Sequence, residues 1–140
     1  MNKCRKKNDM ASLYLPIMNQ WLILKQNNIN LCTYLVKKGY YRVGIYGIGI
    51  YGRHLIREFL NTEVEVLYGI DIKSMKPYME VPIYKLAEIP YQADVIINTV
   101  FYDNELKTEI ERITNCEVLS FEELVFESFS HEDSRLSVQI

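Results

Sequence analysis

Glycine is scarce in this 140-residue chain and confined to one stretch of it. There are six glycines, all between Gly39 and Gly69, whereas average usage gives about ten spread along a chain of this length. Collagen-like and glycine-rich low-complexity proteins are therefore excluded. With 49% hydrophobic and 24% charged residues, the composition is that of a globular protein, and the length suits one domain.

The chain also lacks the marks of several functional classes. Cys4, Cys32 and Cys116 are far apart and odd in number, which suits neither a disulfide framework nor a zinc site, so we expect reduced thiols, a cytoplasmic protein and no metal. Sixteen basic and eighteen acidic residues give a net charge of −2, which offers no attraction to nucleic acid or an anionic membrane. No segment approaches the roughly 20 apolar residues of a membrane span.

The first 40 residues predict a helical arm of two pieces. Pro16 suits the first position of a helix, where its missing N–H costs nothing. Asn30 is a good N-cap for a second helix, and Gly39 suits the left-handed position that follows a helix. The arm precedes a predicted sheet domain over residues 41–128, and the polar residues 129–140 predict a mobile tail or a short terminal strand.

From residue 41 onward, apolar runs typical of buried strands alternate with helical patterns. Ser120 and Glu123 form a capping-box pattern for the last helix, and Asp103 is the predicted cap of the helix before it. This alternation predicts an α/β fold, a Rossmann-like three-layer parallel sheet with strand order 3-2-1-4-5. The predicted strands cover residues 43–46, 64–70, 81–84 (a weak edge strand), 94–100 and 117–119.

A glycine motif, Gly47-x-Gly49-x-x-Gly52, lies between the first strand and the first helix of this domain. Gly47 lets the chain turn off the strand, Gly49 lets a phosphate approach the backbone, and Gly52 lets the helix pack against the strand. The backbone N–H groups at the helix start, around Ile50 and Tyr51, form an anion site that needs no lysine. The motif predicts binding of a nucleotide or dinucleotide, although such a turn can also serve packing alone.

An acidic residue, Asp71, stands nineteen positions beyond Gly52, at the end of the second predicted strand. A carboxylate there accepts hydrogen bonds from ribose hydroxyls and disfavours a 2′-phosphate. This favours NAD over NADP as the cofactor, a preference that Lys73 would soften. The alternative is that Asp71 only caps a turn.

Further candidates cluster at the carboxyl edge of the sheet, where ligands of open α/β sheets bind. Asn98 and Thr99 end the fourth strand and are candidate contacts to a base or sugar, or plain strand-terminal residues. Arg53 and His54, in the first turn of the glycine-loop helix, either contact phosphate or face solvent. Four tyrosines offer stacking surfaces or fill the core: Tyr46, Tyr51, Tyr68 and Tyr102.

Residues 42–123 resemble the small Rossmann domains of bacterial surface-polysaccharide and nucleotide-sugar enzymes. The resemblance lies in IYGIGIYGRHL at the glycine loop, YGID at the second strand, VPIYKLAEIP and ADVIINTV. Comparable domains stand at the N-terminus of sugar acyltransferases that use UDP-sugars, and beside sugar dehydratases and epimerases. The resemblance implies a nucleotide-binding domain whose ligand is NAD or a nucleotide-sugar.

Three functions follow as hypotheses. The first is a ligand-binding component of bacterial polysaccharide or nucleotide-sugar biosynthesis, completed by a catalytic partner protein. The second is a non-catalytic interaction or sensor module that keeps the fold. A stand-alone NAD-dependent oxidoreductase is disfavoured, because only the arm is left to carry a substrate site, and no catalytic residue is assigned. The apolar content of the arm helices also predicts a homodimer.

Overall fold

The computed structural model describes residues 2–101 and 104–130 and has the predicted α/β architecture. Its five-stranded sheet is parallel throughout and has the order 3-2-1-4-5. The strands are β1 (Arg42–Tyr46), β2 (Glu65–Ile70), β3 (Ile83–Tyr84), β4 (Val95–Asn98) and β5 (Glu117–Ser120). The helices are α1 (Asn2–Gln26), α2 (Leu31–Lys37), α3 (Ile50–Phe59), α4 (Asn104–Thr114) and α5 (Phe121–Ser130), with a 3-10 turn at Leu86–Glu88.

The two central strands, β1 and β4, are buried along nearly their whole length. Only Arg42 of these nine residues is exposed, because helices cover both faces of the sheet and exclude water from continuous apolar runs. Tyr46 at the end of β1 lies level with Ile70 on one side and Asn98 on the other. In the sheet, β2 lies on one side of β1 and β4 lies on the other. The strand order therefore reverses between β1 and β4, and their carboxyl ends form the topological switch point of the sheet.

The helices divide into two unequal layers. Buried residues of α1, α2, α3 and α5 share one apolar cluster with Val43, Ile45 and Ile97 of the central strands. The opposite cluster packs Ile110 of α4 against Ile96. The N-terminal arm is therefore part of the main core, although the sequence presents it as a separate segment.

The start of the arm differs from the sequence prediction. Pro16 lies inside α1, fourteen residues after the helix begins at Asn2, so its placement at the first helical position was wrong. A proline inside a helix removes one backbone hydrogen bond and costs about 3 kcal/mol. Packing on both sides of Pro16 offsets that cost, because packing provides most helix stability in proteins. Tyr14, before the proline, stacks on a tyrosine of α3, and Ile17, Trp21 and Leu24, after it, are each at most 5% exposed.

The turn into α2 is capped differently from the prediction. Asn30 occupies the N-cap position with extended backbone but makes no side-chain cap, because its Oδ1 accepts a hydrogen bond from Lys25. The carboxylate of Glu58 instead accepts the N–H of Leu31 at 3.0 Å. Gly39 ends the helix in the left-handed conformation at φ +82°, as predicted.

The later caps agree with the sequence where they can be compared. Ser120 Oγ accepts the backbone N–H of Glu123 at 3.1 Å, which is one half of the predicted capping box. The predicted cap at Asp103, the ring of Tyr102 and the tail from residue 131 lie outside the described residues.

Candidate functional site

The glycine loop joins β1 to α3 with a geometry that each glycine makes possible. Gly47 has φ +89°, a conformation that side chains disfavour. A Cβ on Gly52 would overlap the carbonyl oxygen of Gly47, whereas a Cβ on Gly49 would meet nothing within 4 Å. The loop thus touches itself at Gly47 and Gly52 and is open at Gly49.

The open side of the loop is the N-terminus of α3. Gly49 is the N-cap, and its carbonyl accepts the N–H of Arg53 at 3.1 Å. Within the described part of the chain no side chain caps this helix, so the N–H groups of its first turn, including those of Ile50 and Tyr51, point away from the helix unclaimed by a cap. Gly49 and Ile50 are both exposed, Ile50 by 69%. These donors and the helix dipole favour an anion.

Asp71 lies beside the loop at the end of β2. Its Oδ2 accepts the backbone N–H of Ile48 at 2.9 Å, and its Oδ1 accepts that of Lys73 at 3.0 Å. The carboxylate therefore holds the glycine loop and closes a turn at the same time. Each carboxylate oxygen has a second lone pair, so the half-buried side chain keeps acceptor capacity for a ribose hydroxyl.

Ile48, which the motif treats as a variable position, anchors the loop. Its side chain is 2% exposed, and its end atoms occupy the space where Gly69 would otherwise carry a Cβ. Gly44 makes room in the same way for the ring of Tyr68 on the opposite face. The glycines in the strands thus serve packing, which a motif search cannot distinguish from ligand binding.

Asn98 and Thr99 lie at the predicted edge, but the polar groups of both side chains hydrogen-bond to the backbone. Asn98 bonds both the N–H and the carbonyl of Val100. The Thr99 hydroxyl shares its proton between the carbonyls of Tyr46 and Gly47, each at 2.9 Å. The two side chains are about 5% exposed, so this geometry ties β4 to the glycine loop.

Thr99→Val is expected to lower the free energy of unfolding by about 1 kcal/mol. The substitution keeps the shape of the side chain and removes the hydroxyl that joins β4 to Gly47. Urea denaturation would measure the change, with Thr99→Ser as the matched variant that retains the hydroxyl. A Thr99→Val protein as stable as Thr99→Ser would contradict this role.

A tyrosine from the arm lies over the switch point. Tyr14 stacks on Tyr51 with ring centroids 4.0 Å apart and meets Phe101 edge-on at 4.1 Å. Its hydroxyl donates to the Thr99 carbonyl oxygen at 2.7 Å. Burial, and then the nearby Tyr51, raise the pKa of Tyr14 to about 12, so the hydroxyl keeps its proton at physiological pH. Tyr14 is 85 residues from Thr99, and no local pattern in the sequence predicts their contact.

The remaining candidates take other partners. The guanidinium of Arg53 lies 5.5 Å from the ring centre of Tyr78, and His54 meets Trp21 edge-on at 6.2 Å. Tyr46 and Tyr68 are buried in the core. Arg53 and His54 remain exposed beside these contacts, whereas Tyr46 and Tyr68 fill the core.

Two features, a metal-holding cluster and a membrane-spanning helix, are absent from the described residues. Among them, no group of three or more histidine, cysteine, aspartate or glutamate side chains is arranged to hold a metal ion. None of the helices within this part of the chain has the length and apolar character to cross a membrane.

The fold and the glycine loop define a Rossmann-like parallel α/β protein. Compared with protein-family models, curated proteins and solved structures, the chain gives no significant match.

Proposed function

We propose that this protein binds a pyrophosphate-containing nucleotide, either NAD or a nucleotide-sugar, at the N-terminus of α3. The observation that carries the proposal is the glycine loop, which is open at Gly49 and closed on itself at Gly47 and Gly52. Phosphate oxygens would accept the N–H groups of the first turn of α3, while Asp71 would bind ribose.

Exposed apolar side chains at the same edge support a ligand of this size. Ile50 follows Gly49 and is 69% exposed, and Ile72 follows Asp71 and is 79% exposed. Large apolar side chains in water favour contact with another apolar surface. A nucleobase beside Asp71 would cover such a surface with its flat face.

We place this binding activity in bacterial polysaccharide or nucleotide-sugar biosynthesis, on the strength of the sequence resemblance. The chain would act as an accessory component, with catalysis completed by a partner protein. Leu15 and Leu22 of α1 are 71% and 57% exposed, and their side chains offer apolar surface to that partner or to a second copy of this chain.

A thermal-shift panel tests the ligand class. NAD, NADH, NADP, UDP-glucose and coenzyme A would be added to the full chain, and the true ligand raises the melting temperature through preferential binding to the folded state. A ligand at 100 times its dissociation constant stabilises by about 2.7 kcal/mol. We expect a shift with NAD or UDP-glucose and a smaller one with NADP.

Two variants locate the site. Gly49→Val should abolish the shift by filling the open side of the loop, and Asp71→Ala should reduce it less, because the phosphate contacts remain. Leu60→Ala, at an exposed residue just beyond the other end of α3, is the matched control and should bind normally. If both site variants shift as the unmodified chain does, the assignment is wrong.

The alternative is an interaction or sensor module without a small ligand. The observation that favours it is the arm, because Tyr14 and Thr99 fill the switch point that a dinucleotide would cross. Failure of every compound in the panel would support this second function.

A further inference from the structure

Tyr14 bonds both sides of the switch point at once. Its ring covers Tyr51 in the first turn of α3, and its hydroxyl bonds the carbonyl of Thr99, at the end of β4. These two elements are the walls between which a ligand would extend from the glycine loop toward β4. The arm thus bridges the crevice of the proposed site.

The hollow beside β4 on the side of Phe101, lined by residues 98–101 and 120–122, has no room for a water molecule. A second hollow, on the α4 side of Asn98 and Val100, is open and has about 360 Å³. The Thr99 hydroxyl occupies the space next to Gly47. A nucleotide that reaches past the first turn of α3 toward β4 on the side of Phe101 therefore needs Tyr14 to leave.

The helix that carries Tyr14 has a weak point beside it. Pro16 interrupts the backbone hydrogen bonds of α1, and prolines are the usual position of helix kinks. On the far side of Pro16, the indole of Trp21 donates to Glu58 at 3.2 Å and packs edge-on against Phe121 at 5.3 Å. These contacts of the second half of α1 do not involve the segment before Pro16.

We infer that Tyr14 is a latch, and that the start of α1 closes the switch point in the free protein and swings away about Pro16 when ligand binds. This inference rests on the nucleotide site proposed above. It makes arm and ligand mutually exclusive at Tyr14, so the ligand would free the ring of Tyr14 from Tyr51 and Phe101 and present it to a partner. A binding-competent state that is only partly populated weakens the apparent affinity by that fraction.

Calorimetric titration of the full chain with NAD and with UDP-glucose tests the latch. Tyr14→Ala is expected to bind one of them about tenfold more tightly than the unmodified protein, because the ligand no longer has to displace the Tyr14 ring. Tyr14→Phe keeps the stacked ring and loses the hydrogen bond, so its gain should be smaller, about threefold. Leu15→Ala, at an exposed neighbour, should leave affinity unchanged, and adding Gly49→Val should remove the gain.

The outcomes separate the two proposals. If the unmodified chain binds and neither Tyr14 variant binds more tightly, the latch is overturned and nucleotide binding stands. If no form of the protein binds either compound, nucleotide binding fails and the latch with it. Should Tyr14→Ala fail to fold, Tyr14→Phe decides alone, and equal affinity in that variant overturns the latch.

Discussion

Gly52→Ala is expected to lower the free energy of unfolding by about 2 kcal/mol. At an ordinary helical glycine, alanine would raise the free energy of unfolding by about 1 kcal/mol, because it is the better helix former. At Gly52 we expect the opposite sign. The reason is the overlap of the new Cβ with the carbonyl oxygen of Gly47, a backbone atom in a loop held by Asp71 and Thr99. Overpacking of this kind costs about 3 kcal/mol.

Gly49→Ala in the same loop is the matched control. Its Cβ would meet nothing within 4 Å, and its φ of −95° is accessible to alanine, so the change should stay below about 1 kcal/mol. Urea denaturation of both variants, followed by circular dichroism, measures the difference. Equal stabilities would mean that the contact between helix and loop does not limit packing.

The sequence was sufficient for the order of elements and for the sheet. Continuous apolar runs distinguish β1 and β4 as strands covered on both faces. The weak edge strand predicted over residues 81–84 is shorter in the structure, Ile83–Tyr84, because Pro82 has no N–H to donate to the sheet. The glycine spacing located the turn into α3 because Gly47 and Gly52 each meet a local steric demand, whereas Gly49 leaves the loop open. The spacing of apolar residues and the space that a glycine leaves are local properties, so both can be predicted without knowing which distant residues come into contact.

The parts that the sequence did not reveal depend on contacts between distant residues. The motif marks Asp71 as a ribose ligand, but its bond to Ile48 exists only once β1 and β2 are paired. Thr99 likewise reads as the end of a strand until it meets Gly47. Pro16 illustrates the opposite error, because a local rule placed it at a helix start, whereas the helix begins at Asn2 and Tyr14, ahead of the proline, packs against Tyr51.

The junction of the arm with α3 depends on one buried carboxylate. Glu58 is 4% exposed and accepts three hydrogen bonds, from the Trp21 indole at 3.2 Å, the Lys25 ammonium at 3.0 Å and the Leu31 backbone N–H at 3.0 Å. The third contact places a negative charge at the N-terminus of α2, where the helix dipole favours it. A single side chain thus joins α1, α2 and α3.

Glu58→Ala is expected to lower the free energy of unfolding by about 3 kcal/mol, because it leaves the buried N–H groups of Trp21 and Leu31 without an acceptor. The lost ion pair adds little, since the Lys25 side chain is 39% exposed and such pairs contribute less than about 1 kcal/mol. Glu58→Gln keeps one acceptor oxygen and should cost about half as much.

Trp21 is the single tryptophan of the chain and lies at this junction, so its fluorescence reports the docking of the arm directly. Unfolding of Glu58→Ala in urea would be followed by Trp21 emission and, in parallel, by circular dichroism. Glu109→Ala, at an exposed residue of α4 on the opposite layer, is the control for loss of a carboxylate and should stay within about 0.5 kcal/mol of the unmodified chain. If Glu58→Ala is no less stable than Glu109→Ala, apolar packing alone holds the arm. If Trp21 emission changes at a lower urea concentration than the circular dichroism signal, the arm detaches before the sheet unfolds. This order is possible because Glu58 joins α1 and α2 to α3, and both arm helices lie outside the hydrogen-bonded sheet.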